Sequence, residues 1–173
     1  NAYLQAPTRE QVHTTAGPEF GPSRVGQTVV IIRAMYGLKS SGAAWHAQLS
    51  ATLLGMGFKP SLADPDVWYR AACKEDGFEY YEYLLVYVDD ILAISHKPGI
   101  IMKTIQKQYC LKEEPMAPKQ YLGAVIKQWS IPNELRPVWC MSATNYIKEA
   151  LRCLELELAR SGKTLRGKPS TPM

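Results

Sequence analysis

Residues 83–94 read Tyr83-Leu84-Leu85-Val86-Tyr87-Val88-Asp89-Asp90-Ile91-Leu92-Ala93-Ile94, two apolar runs interrupted by adjacent carboxylates. An ionised carboxylate buried without compensation costs several kcal/mol, so the pair belongs at the crest of a β-hairpin. By themselves the two aspartates read as a solvated turn, since Asp is a common turn residue, or as a site inviting a divalent cation. Strand alternation places Leu84, Val86 and Val88 on one face and Leu85, Tyr87 and Asp89 on the other. The first set is expected to pack under a helix layer and the second to look into a cleft.

The flanking sequence supplies the rest of a mixed domain. After Asp64-Pro65, a strand Val67-Trp68-Tyr69-Arg70 leads to the turn Lys74-Glu75-Asp76-Gly77, whose Asp-Gly is a hairpin signal. From Ser40 or Ser41, a plausible N-cap, Trp45, Leu49, Leu53 and Met56 form one helical face, and Gly55 and Gly57 mark its end. Thr28-Val29-Val30-Ile31-Ile32 is rich in β-branched residues and reads as a strand. Residues 7–28 carry Pro7, Gly17, Pro18, Gly21, Pro22 and Gly26 with no sustained period, which predicts an irregular connection. Downstream, Pro98 suits the first turn of a helix that continues through Ile101, Ile105 and Tyr109. Residues 121–129 and 138–141 are short strand candidates separated by a turn around Pro132-Asn133. A last helix from about Ser142 repeats the 3.6-residue period at Ile147, Leu151, Leu154 and Leu158. The order predicts an α+β fold, an antiparallel sheet with helices packed on one side.

Composition permits a nucleic-acid partner without demanding one. The chain has 173 residues, 46% of them hydrophobic, which excludes a disordered tail and suffices for one sizeable core. Its 20 basic and 16 acidic residues leave a net charge of +4, so phosphates would be gripped by a local, salt-sensitive basic surface. Cys73, Cys110, Cys140 and Cys153 are far apart and form no C-x-x-C pair, so no zinc site is legible, and a chain large enough to stabilise itself by burial does not call for a disulfide framework. No apolar run reaches the ~18 residues of a membrane span. His13, His46 and His96 are scattered, and none reads as a catalytic base.

Five blocks, in order, carry a resemblance. The apolar–Tyr87-Val88-Asp89-Asp90–apolar stretch resembles the signature of reverse transcriptases. Ala34-Met35-Tyr36-Gly37-Leu38-Lys39 with Trp45, the segment from Phe58 to Trp68, the strand Tyr121-Leu122-Gly123-Ala124-Val125-Ile126 and the opening Asn1-Ala2-Tyr3-Leu4-Gln5 are similar to blocks of the copia-type (Ty1-like) retrotransposon enzyme. The resemblance implies a fingers/palm fold and an RNA-directed DNA polymerase segment of a longer polyprotein. Residues 1–160 would be a partial domain and residues 161–173 a linker toward the next.

The resemblance also implies a site. Nucleotidyl transfer is served by two Mg²⁺ (or Mn²⁺) ions roughly 3.5–4 Å apart, held by oxygen ligands. Asp89 would be the principal ligand and Asp90 its helper. The family's other aspartate stands just upstream of the asparagine matching Asn1, so residues 1–173 alone are expected not to polymerise. Tyr3 matches an aromatic beneath the sugar of the incoming nucleotide, where a ring excludes a 2′ hydroxyl; the plain alternative is a buried aromatic. Lys39 would offer a cation to the triphosphate, or be an ordinary solvated lysine. Ser40, Gly42 and Ala43 depart from the family's Gln, Pro and Arg; Ser40 has less reach, although backbone N–H groups at a helix start favour anions. Tyr87 and Val88 would lie along the primer terminus, or be core. Gly123 would sit on a primer-contacting strand, where a glycine lets backbones approach.

Implied partners are an RNA or DNA template, the 3′ end of a DNA primer, deoxynucleoside triphosphates and the remainder of the polyprotein, with no membrane. The implied location is the cytoplasm, in a virus-like particle, with nuclear delivery of the product. A second reading is a degenerate or domesticated remnant that keeps the fold without catalysis. A third, another palm-like metal enzyme such as a nucleotide cyclase, has no explanation for the Tyr36-Gly37-Leu38-Lys39 block or for residues 63–68.

Overall fold

The computed structural model describes residues 2–112, 114–132 and 136–165. Asn133 of the expected turn and most of the expected 161–173 linker lie outside the described residues. The chain divides into two compact units, Asn1–Met116 and Ala117–Met173. Among the described residues, no helix is long and apolar enough to cross a membrane.

The first unit is built on an antiparallel sheet of four strands in sequential order: β3 (Lys59–Pro60), β4 (Val67–Cys73), β5 (Glu79–Tyr87) and β6 (Asp90–Ile94). Leu84 and Val86 on β5 and Trp68 on β4 are buried, as the alternation predicts, in one cluster with two helices. These are α1 (Ser41–Gly55), contributing Ala44, Trp45, Leu49 and Leu53, and α2 (Pro98–Gln106), contributing Ile101 and Ile105. Each fully buried Leu or Ile of this set contributes about 1.5–3 kcal/mol of burial free energy. Tyr109, just past α2, completes the cluster, and its hydroxyl lies 2.6 Å from Thr52 Oγ1 on α1. That shared bond ties the helices together above the sheet.

One polar group shares the helix-facing row of β5. Glu82 is buried and stands directly opposite Arg70 of β4. The Arg70 Nε–H donates to its carboxylate at 2.6 Å, and Ser95 and Tyr80 add hydroxyl donors at 2.5 and 3.2 Å. Arg70 also donates to the Met56 carbonyl beyond α1 at 2.6 Å and lies over the Phe58 ring at 4.4 Å. Both carboxylate oxygens therefore have donors, as a buried charge requires.

Residues 7–28 are not an irregular connection. β1 (Pro7–Thr15) pairs antiparallel with β2 (Thr28–Arg33), with a register irregularity between Pro7 and Val12. No residue within β1 is buried, so the strand carries no apolar alternation. Its pairing is a backbone matter, invisible to a reading based on hydrophobic period.

The second unit is an antiparallel meander of β7 (Gln120–Tyr121), β8 (Ala124–Trp129) and β9 (Val138–Ser142), with α3 (Thr144–Arg160) packed against β8. The single strand expected over residues 121–129 is a hairpin broken at Leu122-Gly123. Both residues have positive φ, 47° and 80°, as a type I′ turn demands.

The Glu82 network generates a stability prediction. Burial pushes the Glu82 carboxyl up, but the hydrogen bonds from Ser95 and Arg70 and the Arg70 charge outweigh it, and its pKa is lowered from 4.5. A lowered folded-state value means the contribution is fully present above 4.5 and is lost as pH falls through the folded value. Glu82→Gln should cost on the order of 2–3 kcal/mol at neutral pH. The gap between wild type and variant should narrow below pH 4.5, as measured by denaturant unfolding across pH.

Candidate active site

Tyr87 pairs with Asp90, so Val88 and Asp89 are the two central residues of a minimal hairpin. Such loops need positive φ at the first central residue, and Val88 takes it at φ 55°. For a β-branched side chain this is a genuine outlier, costing on the order of 1–3 kcal/mol. Asp89 and Asp90 are both exposed at the crest. Tyr87 is exposed on the face away from the helices, and Val88 is half-buried.

Two anchors hold the hairpin. The Trp45 indole N–H on α1 donates to the Val88 carbonyl at 2.5 Å. Lower down, the Val86 N–H donates to the Asp66 carbonyl at 3.0 Å. Asp66 belongs to a turn over Asp64–Val67 in which Asp64 Oδ1 accepts from the Asp66 N–H at 2.9 Å. The Asp64-Pro65-Asp66 segment is thus a brace that starts β4 and clamps β5.

The chain start comes to the same place. Tyr3 opens a 3₁₀ turn, Tyr3–Gln5, set by burial of Ala2 and Ala6 and by the Ala34 N–H bond to the Ala6 carbonyl at 3.0 Å. Gln5 straps this turn to the segment that follows α2, through both backbone groups of Cys110. The Tyr3 ring contacts Tyr36, centroids 4.5 Å apart. Tyr3 and Val88 also line one cavity of about 160 Å³, together with Gly42, Trp45, Leu49 and Val86. The His46–Asp66 pair, 3.4 Å apart, stands at its edge.

Tyr36 is the site residue that the motif reading passed over. It follows Met35 in a turn closed by Leu38 N–H to the Met35 carbonyl at 3.3 Å, with Gly37 at φ 97° supplying the positive φ that a type II turn needs. The turn presents Tyr36 with 58% of its surface exposed. Its phenol pKa is raised above 10.0, first by the charge of Asp89, then by burial and by Tyr3. Tyr3, Tyr36 and Asp89 therefore form one neighbourhood. The legible signal was the Tyr-Gly dipeptide, since glycine after an exposed aromatic is turn chemistry.

Lys39 is exposed at the start of α1. Ser40 occupies the N-cap position, but its side chain makes no capping bond; its hydroxyl oxygen is buried without a partner among the described residues. Its N–H donates at 2.9 Å to the carboxylate of Glu10 on β1. The helix start does attract an anion, and here the chain provides its own. Gly42 lies against Tyr3: a Cβ there would meet the Tyr3 hydroxyl at 3.8 Å, an ordinary contact. Gly123 belongs to the second unit, in the β7–β8 turn, where a Cβ would meet nothing of this chain within 4 Å.

The donor set at the crest fits a hard divalent cation in kind, two carboxylates open to solvent. Among the described residues, no His, Cys, Asp or Glu joins them in a group of three. Asp89 and Asp90 thus offer part of a coordination sphere.

The site is thus a strained hairpin with twin carboxylates, near two tyrosine rings tilted at 51° to each other and backed by two helices. Residues 1–163 match the family model described as reverse transcriptase (RNA-dependent DNA polymerase), and the chain belongs to that family as a copia-like member. It is similar to the retrovirus-related Pol polyproteins from transposons RE1 and RE2 of Arabidopsis thaliana. The identities are 32% over 61% of this chain and 29% over 65%. A further relative, from transposon TNT 1-94 of Nicotiana tabacum, is 24% identical over 76% of the chain. The chain spans only 7%, 8% and 10% of those polyproteins. No solved structure matches it significantly.

If Asp89 sets the Tyr36 phenol, Asp89→Asn should bring the Tyr36 pKa down toward 10.0. Titration of the tyrosine side-chain carbons by NMR reads this directly; an unchanged value would show the two groups to be apart.

Proposed function

We propose that the chain is the metal-holding and nucleotide-contacting part of an RNA-directed DNA polymerase working within a Pol-type polyprotein. The observation that supports it best is the Tyr87–Asp90 hairpin, which brings Asp89 to Tyr36 and Tyr3. Asp89 is the principal ligand and Asp90 the supporting carboxylate. Bound Mg²⁺ or Mn²⁺ would supply charge neutralisation for the leaving pyrophosphate and a more acidic primer hydroxyl.

The chain's own residues do the positioning. Tyr3, wedged between Tyr36 and the first turn of α1, is a rigid wall where a ribose 2′ hydroxyl would fall. Tyr36 shares the neighbourhood of Asp89 and presents an exposed ring and hydroxyl to the sugar or base. Tyr87 and Val88 flank the primer terminus, Lys39 faces the triphosphate, and Gly123 lies in the turn of a hairpin that contacts the primer. Template and primer are nucleic acid, and the monomers are deoxynucleoside triphosphates. The cytoplasmic particle is the setting this reading implies.

In the complete polymerase, Asp89→Asn should abolish synthesis on an RNA template by a factor of about 10³ or more while the circular dichroism spectrum is retained. A variant as active as the parent would dispose of the assignment, and a parent with no activity would favour the non-catalytic remnant. Tyr3→Val should raise ribonucleotide incorporation relative to deoxynucleotide by about 10-fold or more in single-nucleotide kinetics. Unchanged discrimination would return Tyr3 to a packing role.

A further inference from the structure

We infer that Trp45 is a positioning residue for the metal-holding hairpin, acting through its indole N–H on the Val88 carbonyl. The inference deepens the polymerase reading and rests on it for the activity assays alone.

Val88 is β-branched and sits at φ 55°, a conformation it would leave if free to do so. Val88 is half-buried and borders the open-sided cavity of about 160 Å³, so its side chain is packed on only part of its surface. The direct hold on its backbone is the Trp45 Nε1–H bond to the Val88 carbonyl, 2.5 Å long. Trp45 is itself immobile: it is 5% exposed on α1 and its ring meets Tyr109 edge-on at 5.2 Å. The peptide group that accepts this bond is the Val88–Asp89 peptide, so its orientation sets the backbone from which the Asp89 side chain leaves. The two-residue loop demands the left-handed conformation and the Trp45 bond holds the strained crest closed, so releasing it lets the Tyr87–Asp90 end of the hairpin open, Val88 relax and the Asp89 carboxylate lose its fixed direction.

The alternative is that Trp45 is simply core, and the two differ in what they predict. In the complete polymerase, Trp45→Phe keeps an aromatic ring and removes the donor. It should raise the half-saturating Mg²⁺ concentration about 10-fold, the size typical of groups that orient a ligand. Leu53→Ala, a cavity-forming change two turns along the same face and outside the lining of that cavity, should leave the Mg²⁺ dependence within about 2-fold at temperatures well below melting. Val88→Gly removes the cost of the left-handed conformation, so adding Trp45→Phe to Val88→Gly should change little beyond Val88→Gly itself.

Equal effects of Trp45→Phe in the wild-type and Val88→Gly backgrounds, or a Mg²⁺ dependence unmoved by Trp45→Phe, would overturn the inference. A metal-independent readout separates it from failure of the polymerase reading. In residues 1–173, Trp45→Phe should broaden or shift the backbone amide signals of Val88 and Asp89 in NMR spectra and leave that of Leu84 in place. If the Val88 and Asp89 amides do not respond, the tether does not exist, whatever the enzyme does.

Discussion

Burial of Leu84 and Val86 under α1 and α2 fixes the phase of β5, and a strand has only two phases. Once those two side chains point at the helices, every residue up to the crest is assigned a face. The connection to β6 has two residues and no slack. The carboxylates must then emerge together at the end of the sheet, in water, at the one place where twin charges need no buried counterion. The cost falls on Val88, which takes the left-handed conformation that the loop geometry demands.

The parts around the crest are explained by the need to hold that strained loop and to furnish its surroundings. The turn over Asp64–Val67 clamps the Val86 N–H from the sheet side, and the Trp45 indole takes the Val88 carbonyl from the helix side. The Glu82–Arg70 pair ties β4, β5 and the end of α1 into one body through a charge that has no unsatisfied oxygen. On the open side, the Tyr36-Gly37 turn and the 3₁₀ turn at Tyr3 bring two rings into contact beside Asp89. A packed sheet and helices on one side and exposed aromatic and acidic groups on the other hold those side chains on rigid elements.

Residues that departed from expectation did so for identifiable reasons. Ser40 stands at the N-cap position, as its type suggests, yet its hydroxyl makes no capping bond; the anion at the helix start is the Glu10 carboxylate, which β1 brings to the Ser40 N–H. Tyr36 escaped notice because a tyrosine before a glycine advertises a turn and not a function. Its closeness to Asp89 arises from residues more than fifty positions apart in sequence.

The sequence by itself determined the periodic elements: β4 through β6, α1, α2 and the acidic crest are readable because burial of one face imprints a period on side-chain polarity. It also carried the family, since five ordered blocks survive in linear text. Tertiary structure alone decided the pairing of β1, which buries nothing and so leaves no period. It decided which carboxylate meets the N–H at the start of α1, which aromatic shares the neighbourhood of Asp89, and that an indole N–H from the helix side holds the Val88 carbonyl. Those outcomes depend on distances between segments remote in the chain, and a one-dimensional pattern records the preferences of each segment without recording which others it will meet.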